Sequence, residues 1–410
     1  MRIMSETPSA APALWAGSYT AEFGGRGAGL TPLIRDDSGG LAAAGAASAA
    51  SPSFVVAHPS LAVLYTADES SSTVSAYALS GRSRLTHLGS QPAGPAVCHV
   101  AVDPSGSFVA ATCWGDGRVL VYPLDASGRL GAPLLAPPAT DPHAASRPPI
   151  DEHTDAPPRS QAHMTLALDP LPDGSRMLAT TDLGYDLVRF WAWTPGPAAG
   201  GAALTSLGEV VLPLGSGPRH LVRTPDDRLL VVTEYSAEVA VLEPVPAAVV
   251  TAPAPDATAA APAPDEAPSE PAPDGTAAAP DGVAPGEHPV AAPYRLAAMV
   301  PVLADGPAPG DSAAEIALSP DARHVYVGVR GSDLLATLEL DGPSLRPIAH
   351  VPSGGRTPRH HLVDADRLHI AHQDSDELTT HALSPAGLPA GIVARLPLGS
   401  PTVLARPPRS

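Results

Sequence analysis

The stretch GSGPRHLVRTPDDRLLVVTE, residues 215–234, places an arginine at the start of one apolar run and a glutamate at the end of the next. The turn between the runs centres between Asp226 and Asp227, so counting outwards equally in both directions reaches Arg219 and Glu234. In an antiparallel pair, residues so placed face each other at roughly 5 Å between Cβ atoms. An arginine fork recognises carboxylates, phosphates or a developing oxyanion. A carboxylate or an imidazole close by can move a proton near neutral pH. Arg219, His220 and Glu234 are therefore candidates for polar chemistry on a small molecule.

Related positions recur along the chain. SPSFVVAHP begins at Ser51, GPAVCHVAVDP at Gly94, QAHMTLALDP at Gln161, SAAEIALSP at Ser312 and TPRHHLVDA at Thr357. With the unit at Gly215 these make six. Each has a first strand that ends, in five of the six units, in a polar residue and proline. A tight turn and a second strand rich in Val, Leu and Ala follow, then a polar turn and a third strand. First strands start with His99, His163, Arg219-His220 and Arg359-His360. Second strands end with Glu69, Trp114, Asp182, Glu234, Arg330 and His372-Gln373. If the units are equivalent, all these side chains gather at one end of the fold.

Pro59 and Pro104 are 45 residues apart, the period of a four-stranded propeller blade. A seventh blade can be built from LWAGSYT and GLTPLIRD near the start and SPTVLARP near the end. Pairing these strands closes the ring and removes its open edges. The expectation is an all-β, seven-bladed β-propeller over residues 13–406, after a flexible stretch at 1–12. A Pro-rich loop at 133–158 and an Ala/Pro/Asp-rich insertion at 245–293 interrupt it. The insertion has too few apolar residues to pack, so disorder is expected there.

Composition excludes several function classes. The 410 residues carry a net charge of −18, which disfavours nucleic acid and anionic membrane surfaces as partners. All 24 basic residues are arginine, so P-loop and Schiff-base lysine chemistry are ruled out. Cys98 and Cys113 read as small buried side chains, too few for a disulfide framework or a zinc ribbon. No H-x-x-x-H pair occurs, no Gly-x-Ser-x-Gly elbow precedes a helix, and no apolar run is long enough to span a bilayer. The reading is a cytoplasmic protein, monomeric or weakly self-associating, with no metal and no cofactor.

Taken together, AGSYT, YTADE, CHVAVDPSGSFV, QAHMTLALDP, GSGPRHLVRTPDDRLLVVTE, AEIALSPDARHVYVGVRGSD and TPRHHL resemble the seven-bladed propeller lactonase family. That family includes 6-phosphogluconolactonases and carboxy-muconate lactonizing enzymes. The resemblance implies His163, Arg219 and Glu234 as catalytic residues and Arg330 as an anion ligand. Gln161 stands where relatives often carry a histidine. Glu69, His99, His220, Arg330, Arg359 and Gln373 are the expected substrate-binding residues. The implied substrate is a small sugar lactone, most simply 6-phosphogluconolactone, hydrolysed to the acid. A lactonizing cycloisomerase and a non-catalytic binding scaffold are the alternatives. The low aromatic content, 4%, and the charged rim disfavour the scaffold.

Overall fold

The computed structural model describes residues 12–36, 40–81, 83–147, 158–195, 203–246 and 292–408. Their strands form seven four-stranded antiparallel sheets. Blade 1 spans residues 52–92, blade 2 97–135, blade 3 162–211, blade 4 218–301, blade 5 312–352 and blade 6 358–397. Blade 7 is composite. Its innermost strand is Pro401–Ala405, followed outwards by Leu14–Ser18, Thr31–Arg35 and Leu41–Ala43. Trp15 pairs with Ala405 and Ala16 with Leu404, so strands from the two ends of the chain close the ring.

The residue before proline in the repeated units works as a turn cap. His58 Nδ1 accepts the backbone N–H groups of Ser60 and Leu61. The Asp103 carboxylate accepts from the Ser105 N–H, and the Thr224 hydroxyl oxygen from the Arg228 N–H. Ser319 Oγ accepts from both Arg323 and His324. In these four units the proline lies just beyond the strand and the chain reverses, whereas in blade 3 Pro170 still pairs with Arg176.

Hydrophobic cores lie between neighbouring blades. Leu230, Val232, Val239 and Val241 of blade 4 pack with Ile316, Val325, Val327 and Leu338 of blade 5. Tyr65 and Val74 of blade 1 pack with Val100, Val109 and Tyr122 of blade 2. Full burial of each such side chain contributes about 1.5–3 kcal/mol. Fourth strands face water, as the largely exposed Arg84–Pro92 does.

Two expected interruptions differ in outcome. The Pro-rich loop contains a short strand, Leu134–Leu135, which is the fourth strand of blade 2. Two prolines soon after it stop extension. The loop then reaches blade 3: the Pro137 and Pro138 carbonyls accept from Arg189, and His143 Nε2 bonds the Leu212 carbonyl. Residues 148–157 of that loop, residues 1–11 and residues 247–291 of the insertion lie outside the described residues. No helix among those described is long and apolar enough to cross a membrane.

Carboxylates in the turns after second strands latch one blade to the next. Asp186 of blade 3 accepts the N–H groups of Gly215 and Gly217, at 3.0 and 2.8 Å, ahead of blade 4. Asp333 accepts from Thr357 at 2.7 Å ahead of blade 6, and Asp376 from Ser400 at 2.8 Å ahead of blade 7. Each latch ends within a few residues of the channel mouth.

Candidate active site

Every inner strand carries a β-bulge near its start. The ladder skips between Pro52 and Phe54, Val97 and His99, Ala162 and Thr165, Pro218 and His220, Ala313 and Ile316, Pro358 and His360, and around Thr402. A bulge leaves one residue unpaired and re-aims its side chain. Ser53, Cys98, His163, Arg219, Arg359 and Thr402, all in these bulges, line one small cavity of about 10 Å³ on the channel axis. That is roughly the space of a single water.

The bulge corrects the expected register. Pro218 pairs with Thr233 and His220 with Val232, so the hairpin centres on Asp226 and Arg219 has no cross-strand partner. Glu234 lies one residue beyond its strand, its N–H bonded to the Gly217 carbonyl. The two side chains still meet. Arg219 Nη1 donates to Glu234 Oε2, and Arg330 Nη2 lies 2.9 Å from Glu234 Oε1. One carboxylate thus holds two guanidiniums. Burial alone would raise the Glu234 carboxyl, but Arg219 and then Arg330 outweigh it and hold it down at about 2. Burial, with Arg219 beside it, lowers Arg330 to about 10. A carboxylate so bound is a weak proton acceptor, which argues against Glu234 as a general base.

The imidazoles behave oppositely. Burial, reinforced by Arg219, lowers both His163 and His220 well below the usual histidine value, so both are neutral at pH 7. Their rings lie 5.0 Å apart between centroids. His163 Nδ1 has no hydrogen-bond partner. His99 sits behind the cavity lining, its ring 4.0 Å from that of Phe54, and its Nδ1 accepts the Thr165 N–H at 3.5 Å.

On the far side of the mouth, Arg359 donates to Gln373 Oε1 at 3.1 Å and to the Tyr19 hydroxyl oxygen at 2.9 Å. Tyr19 in turn donates to Glu69 Oε2 at 2.8 Å. Arg359 forms no direct ion pair with a carboxylate among the described residues, unlike Arg219 and Arg330.

Three residues expected at the mouth do other work. Asp182 accepts from Ser160 and from the Gln161 and Tyr185 N–H groups, fixing its own turn. His372 is fully buried and bonds Thr379. Trp114 stacks with the Arg159 guanidinium at 5.2 Å. Conversely, the sequence did not place Ser53, Cys98, Tyr19 and Glu315 at or behind the mouth. Aligning the repeats by column would have found three of them, since PSF, VCH, AHM, PRH, AAE, PRH and PTV are equivalent. Tyr19, in a loop outside the repeats, gives no such signal.

Volume alone points elsewhere. A cavity of about 450 Å³ lies at the opposite end of the channel, lined mainly by Val55, Ala57, Leu318, Val363 and Leu404. His360, His361 and Arg406 also line it, but no carboxylate does, so it lacks the mouth's opposed charges. Among the described residues no group of three or more His, Cys, Asp or Glu is placed to hold a metal ion.

The model of the family Lactonase, 7-bladed beta-propeller, matches residues 13–278 and 288–405. The chain belongs to this family. A 6-phosphogluconolactonase of Bacillus subtilis (strain 168) is 26% identical over 326 residues, covering 78% of this chain and 76% of its own length. The periplasmic gluconolactonase of Pseudomonas aeruginosa superposes with a TM-score of 0.72 at 20% identity, covering 95% of this chain and 97% of that one. A protein from Lactobacillus plantarum superposes with a TM-score of 0.70 at 20% identity, over 95% and 98% of the two chains. The bulged ring at the channel mouth sets two fixed guanidiniums beside two neutral imidazoles.

Proposed function

We propose that the protein hydrolyses a sugar lactone, most simply 6-phosphogluconolactone, at the mouth formed by the bulged residues. The observation that carries this is Arg219 and Arg330 fixed on Glu234 beside two neutral histidines. Water adds to the lactone carbonyl and negative charge develops on its oxygen. Arg219 offers that oxygen a rigid guanidinium, which is the largest single contribution expected in such a site. Glu234 keeps both guanidiniums in place. His163 lines the cavity at the mouth beside His220 and shapes the neutral face that meets the lactone.

The role of anion ligand moves from Arg330 to Arg359, because Arg330 is already ion-paired. Arg359, braced by Gln373 and Tyr19, is the guanidinium left to meet a phosphate. Free Cys98 and Cys113 fit a reducing compartment, the cytoplasm.

The test is hydrolysis of 6-phosphogluconolactone and of unphosphorylated gluconolactone, before and after dialysis against a strong chelator. Turnover of both is expected, with higher kcat/KM for the phosphorylated lactone and no effect of the chelator. Arg359→Ala should lower kcat/KM at least about tenfold for the phosphorylated lactone alone, a change of about 1.4 kcal/mol. Failure to hydrolyse either lactone overturns the reading.

A further inference from the structure

Behind the mouth lies a second group of titratable side chains that the scheme above leaves unused. His220 Nδ1 is 2.8 Å from Glu315 Oε2, which comes from the inner strand of the next blade, Ser312–Leu318. His360 Nε2 is 3.3 Å from the same oxygen. All three residues are buried, at 4%, 8% and 8% exposure for His220, Glu315 and His360. A carboxylate placed on two imidazoles with so little water nearby is costly unless it serves them.

The hydrogen bonds fix where the protons are. His360 Nδ1 accepts the Leu404 backbone N–H at 3.3 Å, so in the neutral ring the proton is on Nε2 and is donated to Glu315. An ionised carboxylate only accepts. His220 must therefore also donate to it, through Nδ1–H. That leaves the lone pair of His220 on Nε2, which has no protein partner among the described residues, and the ring lines the cavity at the mouth. No carboxylate fixes the tautomer of His163 in this way, since its Nδ1 is unpartnered.

We propose that His220 is the general base of the hydrolysis and that Glu315 is the positioning residue that holds its Nδ1–H and stabilises the imidazolium. The inference rests on the lactonase reading above. Water attacks the carbonyl carbon, and its proton passes to His220 Nε2. The carbonyl π pair moves onto oxygen, facing Arg219. When the tetrahedral intermediate collapses, the bond from carbon to the ring oxygen breaks. The ring oxygen takes the proton from His220, giving the hydroxy acid and restoring the neutral imidazole. Glu315 stays ionised throughout, as the acidic member of a hydrolytic triad does.

The experiment measures lactone hydrolysis and thermal melting for the full-length wild type, His220→Gln and Glu315→Gln, and the ¹⁵N shifts of the histidine rings in the wild type. Both variants should lose at least about 100-fold in kcat, the range for a general base, with KM changed less than about threefold. Glu315→Asp should recover part of the loss. In the wild type at pH 7.5, His220 should carry its proton on Nδ1. A wild type that hydrolyses the lactone while His220→Gln or Glu315→Gln keeps kcat within about threefold of it overturns the dyad and leaves the lactonase reading standing. So does a wild-type His220 protonated on Nε2, whatever the variants do. A wild type that hydrolyses no lactone overturns both.

Discussion

At the residue scale, the mouth is organised by one carboxylate between two guanidiniums. Arg219 is 4% exposed, so the group is far from a surface ion pair. Removing Arg219 should remove an oxyanion donor, worth a factor of about 100 to 1000 in rate. Arg219→Ala is thus expected to lower kcat at least about 100-fold in a steady-state assay. Glu234 should behave differently. Glu234→Gln leaves Arg219 and Arg330 side by side with no countercharge, and breaking one partner out of a buried pair costs about 3–5 kcal/mol. It should lower kcat and also lower the melting temperature by several degrees in calorimetry. A variant that melts like the wild type would mean that water already screens the two guanidiniums. Cys98 is on the same ring but carries none of this chemistry. Burial raises its thiol far above the physiological range, and it donates to the His163 carbonyl at 3.4 Å.

At the element scale, the turns and bulges set the mouth. Gly217 has φ +67° and directly precedes Pro218, and a Cβ there would stand 2.5 Å from Tyr235 Cδ2. Both facts require glycine. Gly217→Ala should strain the loop held by Asp186 and displace Arg219, two residues on. The expected result is a loss of kcat of tenfold or more, with a melting temperature lowered by a few degrees. Unchanged kinetics would show that the bulge positions Arg219 without help from the loop. These elements also mark what could be read beforehand. The blades were legible because five of the six repeated units carry a polar residue and a proline at the first turn. The meeting of Arg219 with Glu234 was legible too, but its cause was not. Counting residues assumes an unbroken ladder, and nothing in PRH announces that one residue will be left over. Glu315 went unread because it is a single acid in a column that elsewhere holds Phe54, His99, His220 and His360. Its partners come from two other blades, and only the closed ring brings them together.

At the scale of the whole molecule, titratable groups are spread unevenly around the ring. His360, His361, His369 and His372 all lie in the first hairpin of blade 6, and burial lowers each of them to about 4. Glu315 partly offsets this for His360 and His361, as Asp364 does for His369 and Glu377 for His372. Each folded value lies below the unfolded 6.5, so between pH 6.5 and about 4 the unfolded chain binds protons that the folded chain refuses. Stability is therefore full above pH 6.5 and declines as pH falls towards 4, by about 3 kcal/mol per histidine at most. Four such terms together rival the whole stability of a domain, about 5–15 kcal/mol. Hydrogen exchange followed by mass spectrometry at pH 5 should show opening first in residues 357–397. Earlier opening of blade 2 would contradict this. The closure of blade 7 has a different consequence, one of timing. Among the described strands Pro401–Ala405 is made last, yet it is the innermost of its blade and supplies Thr402 to the mouth. While a ribosome is still upstream of residue 401, Leu14–Ser18 waits with an unpaired edge and the Leu404 N–H that orients His360 does not exist. The nascent chain is thus expected to stay inactive until residues 401–405 have been made and have paired with Leu14–Ser18.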